Sequence, residues 1–136
     1  MNTLTEALNH FWESIIKNIA VDILNSSISI ELEIVENGES YKHTVIFKEV
    51  SSYFYLNNIG DSRLCIHQPE EDEYLELTTI NYLEEGVGQI KVVSMNETWA
   101  NQCFASANFV IEIWSRILFI EAKKVIIDRN EYSIEM

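Results

Sequence analysis

Residues 28–34 alternate between apolar and polar side chains, a period of two that matches an extended strand with one buried face and one solvent face. The apolar positions are Ile28, Ile30, Leu32 and Ile34, and the polar ones are Ser29, Glu31 and Glu33. Asn37 and Gly38 follow, and Asn-Gly is preferred at the centre of a type I′ turn because both positions need positive φ. The alternation resumes in residues 41–48. The sequence therefore predicts a β-hairpin.

The N-terminal residues predict a helix. Thr3 and Glu6 fit a capping box, in which each side chain accepts a hydrogen bond from a backbone N–H that the first turn leaves unpaired. Apolar side chains then recur at spacings of four and three: Leu4, Leu8, Phe11, Ile15 and Ile19, with Trp12 and Ile16 beside them. This stripe predicts a helix that starts at Thr3, extends through Ile19 and packs on an apolar surface.

Further segments carry weaker patterns. Residues 74–82 and 87–93 predict a second hairpin around Glu84, Glu85 and Gly86. Ser94 and Glu97 fit another capping box, and the apolar spacing beyond them predicts a short helix near residues 95–104. Other strands are predicted at residues 50–56, 63–67, 109–114, 117–120, 125–128 and 132–134.

These elements favour one α+β domain over residues 1–136. Of the 136 residues, 47% are hydrophobic, which is enough for a core, and the single proline and four glycines argue against a linker-rich chain. The predicted fold is mainly antiparallel β-sheet, as a sandwich or an open barrel, with an N-terminal helix and a short helix near residues 95–104.

The charge balance limits the partners. Acidic residues number 22 and basic residues 9, so 22 − 9 gives a net charge of −13. Neutralising phosphates requires clustered Lys and Arg, whereas these nine are scattered. Nucleic acid and anionic membrane surfaces are therefore not expected partners.

The expected compartment is cytoplasmic. No apolar run approaches the ~20 residues of a membrane-spanning helix, and the N-terminus lacks the basic region of a secretory signal. Cys65 and Cys103 are 38 positions apart and form no CxxC motif. In a reducing compartment they are predicted to be half-buried thiols without a disulfide.

Several motifs follow one another along the chain: the N-terminal helix with Phe11 and Trp12, Glu36-Asn37-Gly38, Val50-Ser51-Ser52-Tyr53-Phe54, Tyr74-Leu75-Glu76-Leu77-Thr78, Gly86-Val87-Gly88, Ala107-Asn108-Phe109-Val110-Ile111-Glu112-Ile113-Trp114 and Phe119-Ile120-Glu121-Ala122. Their order resembles the YxiG-like family of small, mostly uncharacterised bacterial proteins. Some members are encoded beside secreted polymorphic toxins. The resemblance supplies no catalytic residues, but it implies a neighbourhood in which small acidic proteins are often immunity proteins.

Metal binding has weak support. His67 precedes a run of carboxylates, and His43 lies on a predicted strand. Imidazole ligands normally come with a second convergent His or Cys, and a run of carboxylates in a loop is usually a solvated surface. No metal or cofactor is predicted.

Catalysis has one pair of candidates, Glu112 and Glu121. Each is flanked by Ile, Phe or Trp. A carboxyl group held in such apolar surroundings is suited to act as a general acid or base. Strand alternation places both equally well on the solvent face, where Arg116, Lys123 and Lys124 offer ion pairs. No serine lies in a Gly-x-Ser-x-Gly elbow.

The acidic surface is the remaining functional signal. We define the acidic cluster as Glu70, Glu71, Asp72, Glu73 and Glu76, and expect Tyr53 and Tyr55 to add an aromatic anchor. One explanation of the acidity needs no partner, because a strongly negative net charge keeps a protein soluble. The functional hypothesis is a non-enzymatic interaction protein, such as an immunity protein that masks a basic nuclease toxin. The alternative is a small-ligand-binding domain or an enzyme using Glu112 or Glu121.

Overall fold

The computed structural model describes residues 2–66, 68, 70 and 73–135. Within that part of the chain lie one α-helix, two 3₁₀ helices and ten strands. The α-helix is α1 (Asn2–Asn9), and the 3₁₀ helices span Gly60–Leu64 and Thr98–Gln102. The strands are β1 (Ser14–Asp22), β2 (Ser27–Glu36), β3 (Glu39–Leu56), β4 (Leu75–Leu77), β5 (Thr79–Tyr82), β6 (Gln89–Lys91), β7 (Phe104–Ser106), β8 (Phe109–Ile113), β9 (Arg116–Ile127) and β10 (Asn130–Ser133).

The predicted first hairpin is confirmed. β2 and β3 pair antiparallel from Ile28 opposite Phe47 to Glu36 opposite Glu39. Asn37 and Gly38 form the turn with φ values of 52° and 78°, the left-handed conformation that this pair of residues adopts at low cost.

The main sheet has the strand order β4-β1-β2-β3-β9-β8-β5, with every pair antiparallel. β4 and β5 lie at opposite ends of this order, yet only Thr78 separates them in the chain. The sheet therefore curls into a nearly closed, barrel-like layer, which agrees with the predicted open barrel. β10 pairs beside β9, while β6 and β7 form a separate two-stranded ribbon.

The core lies on the concave face of this sheet. Phe47 and Phe109 are fully buried and meet edge to face with ring centroids 5.0 Å apart. α1 packs against β5 and inserts Leu4 and Leu8, which are also fully buried. Burying each such side chain contributes roughly 1.5–3 kcal/mol.

No helix among the described residues is both long and apolar enough to cross a membrane.

The predicted extent of the first helix was wrong. α1 starts at Asn2 and ends at Asn9, and the segment from Ser14 to Asp22 is a strand. Glu13 turns the chain with a φ of 70°, and its N–H donates to the Leu77 carbonyl at 2.7 Å. The isoleucines that extended the apolar stripe are β-branched, and here they pair with β2.

The long strands were predicted in pieces. Residues 41–48 and 50–56 are two halves of β3, and residues 117–120 and 125–128 both belong to β9, apart from Asp128. The register of β3 against β9 shifts between Val50 and Ser52, and Glu49 has a φ of 52°. This β-bulge bends the strand without ending it.

The second predicted hairpin was also wrong. Residues 79–82 pair with β8, and residues 89–91 pair with β7, so the two segments do not pair with each other. The predicted strand at residues 63–67 is replaced by the 3₁₀ helix Gly60–Leu64, and His67 lies outside the described residues.

The predicted short helix is a five-residue 3₁₀ helix, Thr98–Gln102. Ser94 Oγ accepts a hydrogen bond from the Glu97 N–H at 3.0 Å, as half of the capping box requires. Met95 and Trp99 are 94% and 63% exposed. These two side chains therefore pack against no core, and the helix stays short because it gains no stability from tertiary packing.

Candidate functional site

The second half of β3, Ser51–Leu56, forms a sheet edge that we name the aromatic edge. β9 pairs with it from Ser52 opposite Glu121 to Leu56 opposite Ile117. On its other side, pairing with β2 stops at Phe47, and the last link is the Val50 N–H donating to the Ser26 carbonyl at 2.9 Å. Within the described part of the chain, the aromatic edge thus has a strand partner on one side alone.

Three consecutive aromatic side chains project from this edge. Tyr53, Phe54 and Tyr55 are 44%, 42% and 45% exposed. Tyr53 and Tyr55 are opposite Ile120 and Leu118, and therefore share the concave face with them. Phe54 lies on the outer face. Both tyrosines named from the sequence are therefore available to a partner.

A groove of about 350 Å³ borders the aromatic edge on its outer face. We name it the ribbon groove because the β6–β7 ribbon forms one wall. Its lining is mainly apolar, and Lys91 supplies the positive charge in it. Tyr53 and Phe54 from the aromatic edge lie along it, and its other large apolar side chains are Ile90, Val92, Phe104 and Phe119.

A second groove of about 370 Å³ lies between the aromatic edge and the turn that joins β1 to β2. This turn groove is lined by Tyr53, Val21, Ile23 and Asp22, among others. The side-chain amide and then the backbone N–H of Asn25 donate hydrogen bonds to Asp22, at 2.7 and 3.2 Å, and these bonds lower the pKa of its carboxyl. The turn groove therefore holds a negative charge at neutral pH.

The acidic cluster occupies a different part of the sheet. Glu70 and Glu73 are exposed, Glu76 is half-buried on β4 opposite Ile15, and Glu71 and Asp72 lie outside the described residues. β4 pairs with β1, whereas the aromatic edge pairs with β9. The described acids and the two tyrosines are thus not neighbours across one strand pair.

Glu112 and Glu121 lie on neighbouring strands but are not opposite each other. Glu112 is opposite Ile117 on β9, and Glu121 is four residues further along that strand, a separation of ~13 Å. Paired carboxylates of glycosidases, for comparison, lie within about 10 Å of each other. Glu112 accepts a hydrogen bond from Thr79 Oγ1 at 3.1 Å.

Glu121 has a structural position that the sequence did not reveal. Its carboxylate accepts hydrogen bonds from the Ser51 hydroxyl, from the Ser52 hydroxyl at 3.2 Å and from the Ser106 N–H at 3.2 Å. These contacts tie the start of the aromatic edge to the end of β7. Glu121 therefore helps to fix the ribbon beside the edge.

His43 lies in a small cluster of polar and aromatic side chains apart from the aromatic edge. His43 Nδ1 lies 2.9 Å from Asp128 Oδ2, and the His43 ring meets His10 with centroids 5.8 Å apart. Among the described residues, no three His, Cys, Asp or Glu side chains are arranged to hold a metal ion. Cys65 and Cys103 are free and exposed, so the expectation that they are half-buried was wrong.

Comparison with known proteins places these features in a family. The family described as "YxiG-like protein" matches residues 4–132, a range that contains the aromatic edge and the lining of both grooves. The protein named "Uncharacterized protein YxiG" of Bacillus subtilis (strain 168) is 26% identical over 135 residues, which cover 96% of this chain and 94% of that protein. The chain belongs to the YxiG-like protein family.

Proposed function

We propose that this protein is a non-enzymatic interaction protein that binds a basic protein through the aromatic edge. The observation that carries the proposal is the exposure of Tyr53, Phe54 and Tyr55, each above 40%, on a sheet edge between two grooves. Large exposed apolar patches mark interaction sites, and Tyr is enriched among residues that dominate binding energy.

The charge of the chain supports a basic partner. The net charge is −13, and Glu70 and Glu73 are exposed on the acidic cluster. Such a surface accelerates association with a positively charged protein. A nuclease toxin is basic because its substrate is polyanionic, and an acidic inhibitor that covers its substrate channel acts as an immunity protein. We extend the proposal to this role on the family resemblance.

The test is the binding of a basic protein encoded next to the gene for this chain. A variant with Tyr53→Ser and Tyr55→Ser should dissociate at least about tenfold faster, because the anchor is lost. Tyr41→Ser is the matched control: Tyr41 is 46% exposed on the other half of β3. Equal dissociation rates for wild type and the double variant would reject the aromatic edge as the binding surface.

The ribbon groove supports a second candidate, a small-ligand-binding domain. Its volume of about 350 Å³ and its apolar lining fall within the range of ligand sites. Cys103 lines this groove, whereas Cys65 does not. A bound ligand should slow the chemical modification of the Cys103 thiol and leave the modification rate of the Cys65 thiol unchanged. A ligand that changes neither rate, or that changes both equally, would count against this candidate.

A further inference from the structure

The backbone of the aromatic edge is left open for another strand. In an antiparallel pair, every second residue directs its N–H and C=O away from its partner, so alternate residues of Ser51–Leu56 present these groups on the side opposite β9. The segment contains neither proline nor a charged residue. Proteins usually protect an exposed edge with such residues or cover it. The aromatic edge has the chemistry of a strand-pairing site.

The two grooves flank this edge on opposite faces. Phe54 and Phe119 line the ribbon groove on the outer face, and the core residue Ile28 lines the turn groove on the concave side. Tyr53 borders both grooves. Successive side chains of a strand point to opposite faces. A strand added beside the aromatic edge would therefore direct alternate side chains towards the two grooves, the arrangement that gives strand addition its specificity.

The two grooves differ in charge, which defines the strand that fits. The ribbon groove offers Ile90, Val92 and Phe104 to apolar side chains, and Lys91 there disfavours a second cation. The turn groove presents the Asp22 carboxylate, which attracts Lys or Arg. The complementary segment has apolar residues on one face and basic residues on the other.

We propose that the aromatic edge binds an extended segment of a partner polypeptide, with alternating apolar and basic residues, as an additional β-strand of the main sheet. This inference rests on the proposed function for the basic character of the partner. It goes further by naming the mode of recognition: backbone hydrogen bonds to Ser51–Leu56, apolar side chains in the ribbon groove and basic side chains beside Asp22.

The test uses a labelled peptide of about ten residues that alternates valine and lysine. Two control peptides have the same sequence, with the backbone nitrogens methylated at the odd or at the even positions. Strand addition predicts that methylation in one register weakens binding at least about tenfold and methylation in the other register has little effect, because only one set of amides faces the edge. Equal effects in both registers, or no effect in either, would overturn the proposal.

Amide hydrogen exchange on the same samples locates the peptide. Exchange at alternate residues of Ser51–Leu56 should slow at least about tenfold when the peptide binds. Slowing elsewhere without slowing at this segment would contradict the inference. Exchange at this segment that slows as the protein concentration rises, without any peptide, would identify a second copy of this chain as the occupant. That result would also overturn the proposal.

Asp22→Asn tests the charge preference. This variant should bind the valine–lysine peptide several-fold more weakly, while Asp61→Asn, at an exposed acid on the 3₁₀ helix Gly60–Leu64, should bind it as wild type does. Equal binding by all three proteins would reject Asp22 as the contact. Partner binding that depends on the tyrosines, together with peptide binding insensitive to methylation register, would reject strand addition and leave the proposed function standing. The reverse pattern would reject the proposed function alone.

Discussion

Phe54 and Phe119 stack on the outer face of the sheet, with ring centroids 6.2 Å apart and ring planes inclined by 24°. Phe54 is the side chain at the edge, and Phe119 comes from the next strand, β9. Both line the ribbon groove. The stack joins the exposed edge to the groove wall. A substitution at Phe54 therefore changes the binding surface and removes no fully buried side chain.

Phe54→Ala should reduce stability less than Phe47→Ala. Phe54 is 42% exposed, whereas Phe47 is fully buried. Truncating a buried phenylalanine costs about 3–5 kcal/mol, and the partly exposed one should cost about half of that or less. Urea unfolding of the two variants measures the difference. Comparable losses would mean that Phe54 is a core residue.

Replacing the acidic cluster with glutamines should slow association with a basic partner and weaken its salt dependence. The variant carries Gln at Glu70, Glu71, Asp72, Glu73 and Glu76. Glu70 and Glu73 are exposed, and exposed charges steer diffusional encounter but contribute little stability. The unfolding free energy should therefore change by less than about 1 kcal/mol. Stopped-flow association at low and moderate salt is the measurement. On-rates equal to wild type at both salt concentrations would leave the acidity as a solubility feature.

Glu121→Ala should destabilise the protein more than Glu112→Ala. Glu121 accepts hydrogen bonds from two serine hydroxyls and one backbone N–H, while Glu112 accepts one from Thr79. The bond from Ser52 is partly buried and those from Ser51 and Ser106 are exposed, so each lost bond should cost about 0.5–1.5 kcal/mol or less. Urea unfolding again provides the comparison. An equal or larger loss in Glu112→Ala would show that Glu121 does not fix the ribbon.

Asn25→Ala should raise the pKa of Asp22 towards the ordinary value of 3.8. The side-chain amide of Asn25 is the main cause of the lowered pKa, and the variant removes it. A lowered folded-state pKa contributes stability that is present above the unfolded pKa and is lost as pH falls through the folded value. NMR titration of the Asp22 carboxyl carbon measures this shift. An unchanged pKa would show that Asn25 does not hold the charge in the turn groove.

Local patterns predicted the parts of the fold that depend on neighbouring residues. The alternation from Ile28 and the Asn37-Gly38 turn were sufficient for the first hairpin, because side-chain burial and turn conformation agree there. Residues 109–114, nearly apolar on both faces, predicted a central strand, and Phe109–Ile113 is β8, which lies between β5 and β9.

Pairing between distant segments could not be predicted from local sequence patterns. The apolar spacing of Ile15 and Ile19 fits a helix, but pairing with β2 and β4 makes their segment a strand. Tertiary context also decides that β5 pairs with β8 and β6 with β7. The candidate site combines both cases: Tyr53, Phe54 and Tyr55 stood out as consecutive aromatics, whereas the ribbon groove depends on a ribbon whose pairing the sequence did not indicate.

In the proposed function, the aromatic edge binds a partner protein. Amide hydrogen exchange of the full chain, free and bound to a basic protein encoded beside its gene, tests this most directly. We predict that the strongest slowing on binding falls on Ser51–Leu56 and on the residues that line the two grooves. Slowing confined to other segments, with Ser51–Leu56 exchanging as fast as in the free protein, would contradict the account.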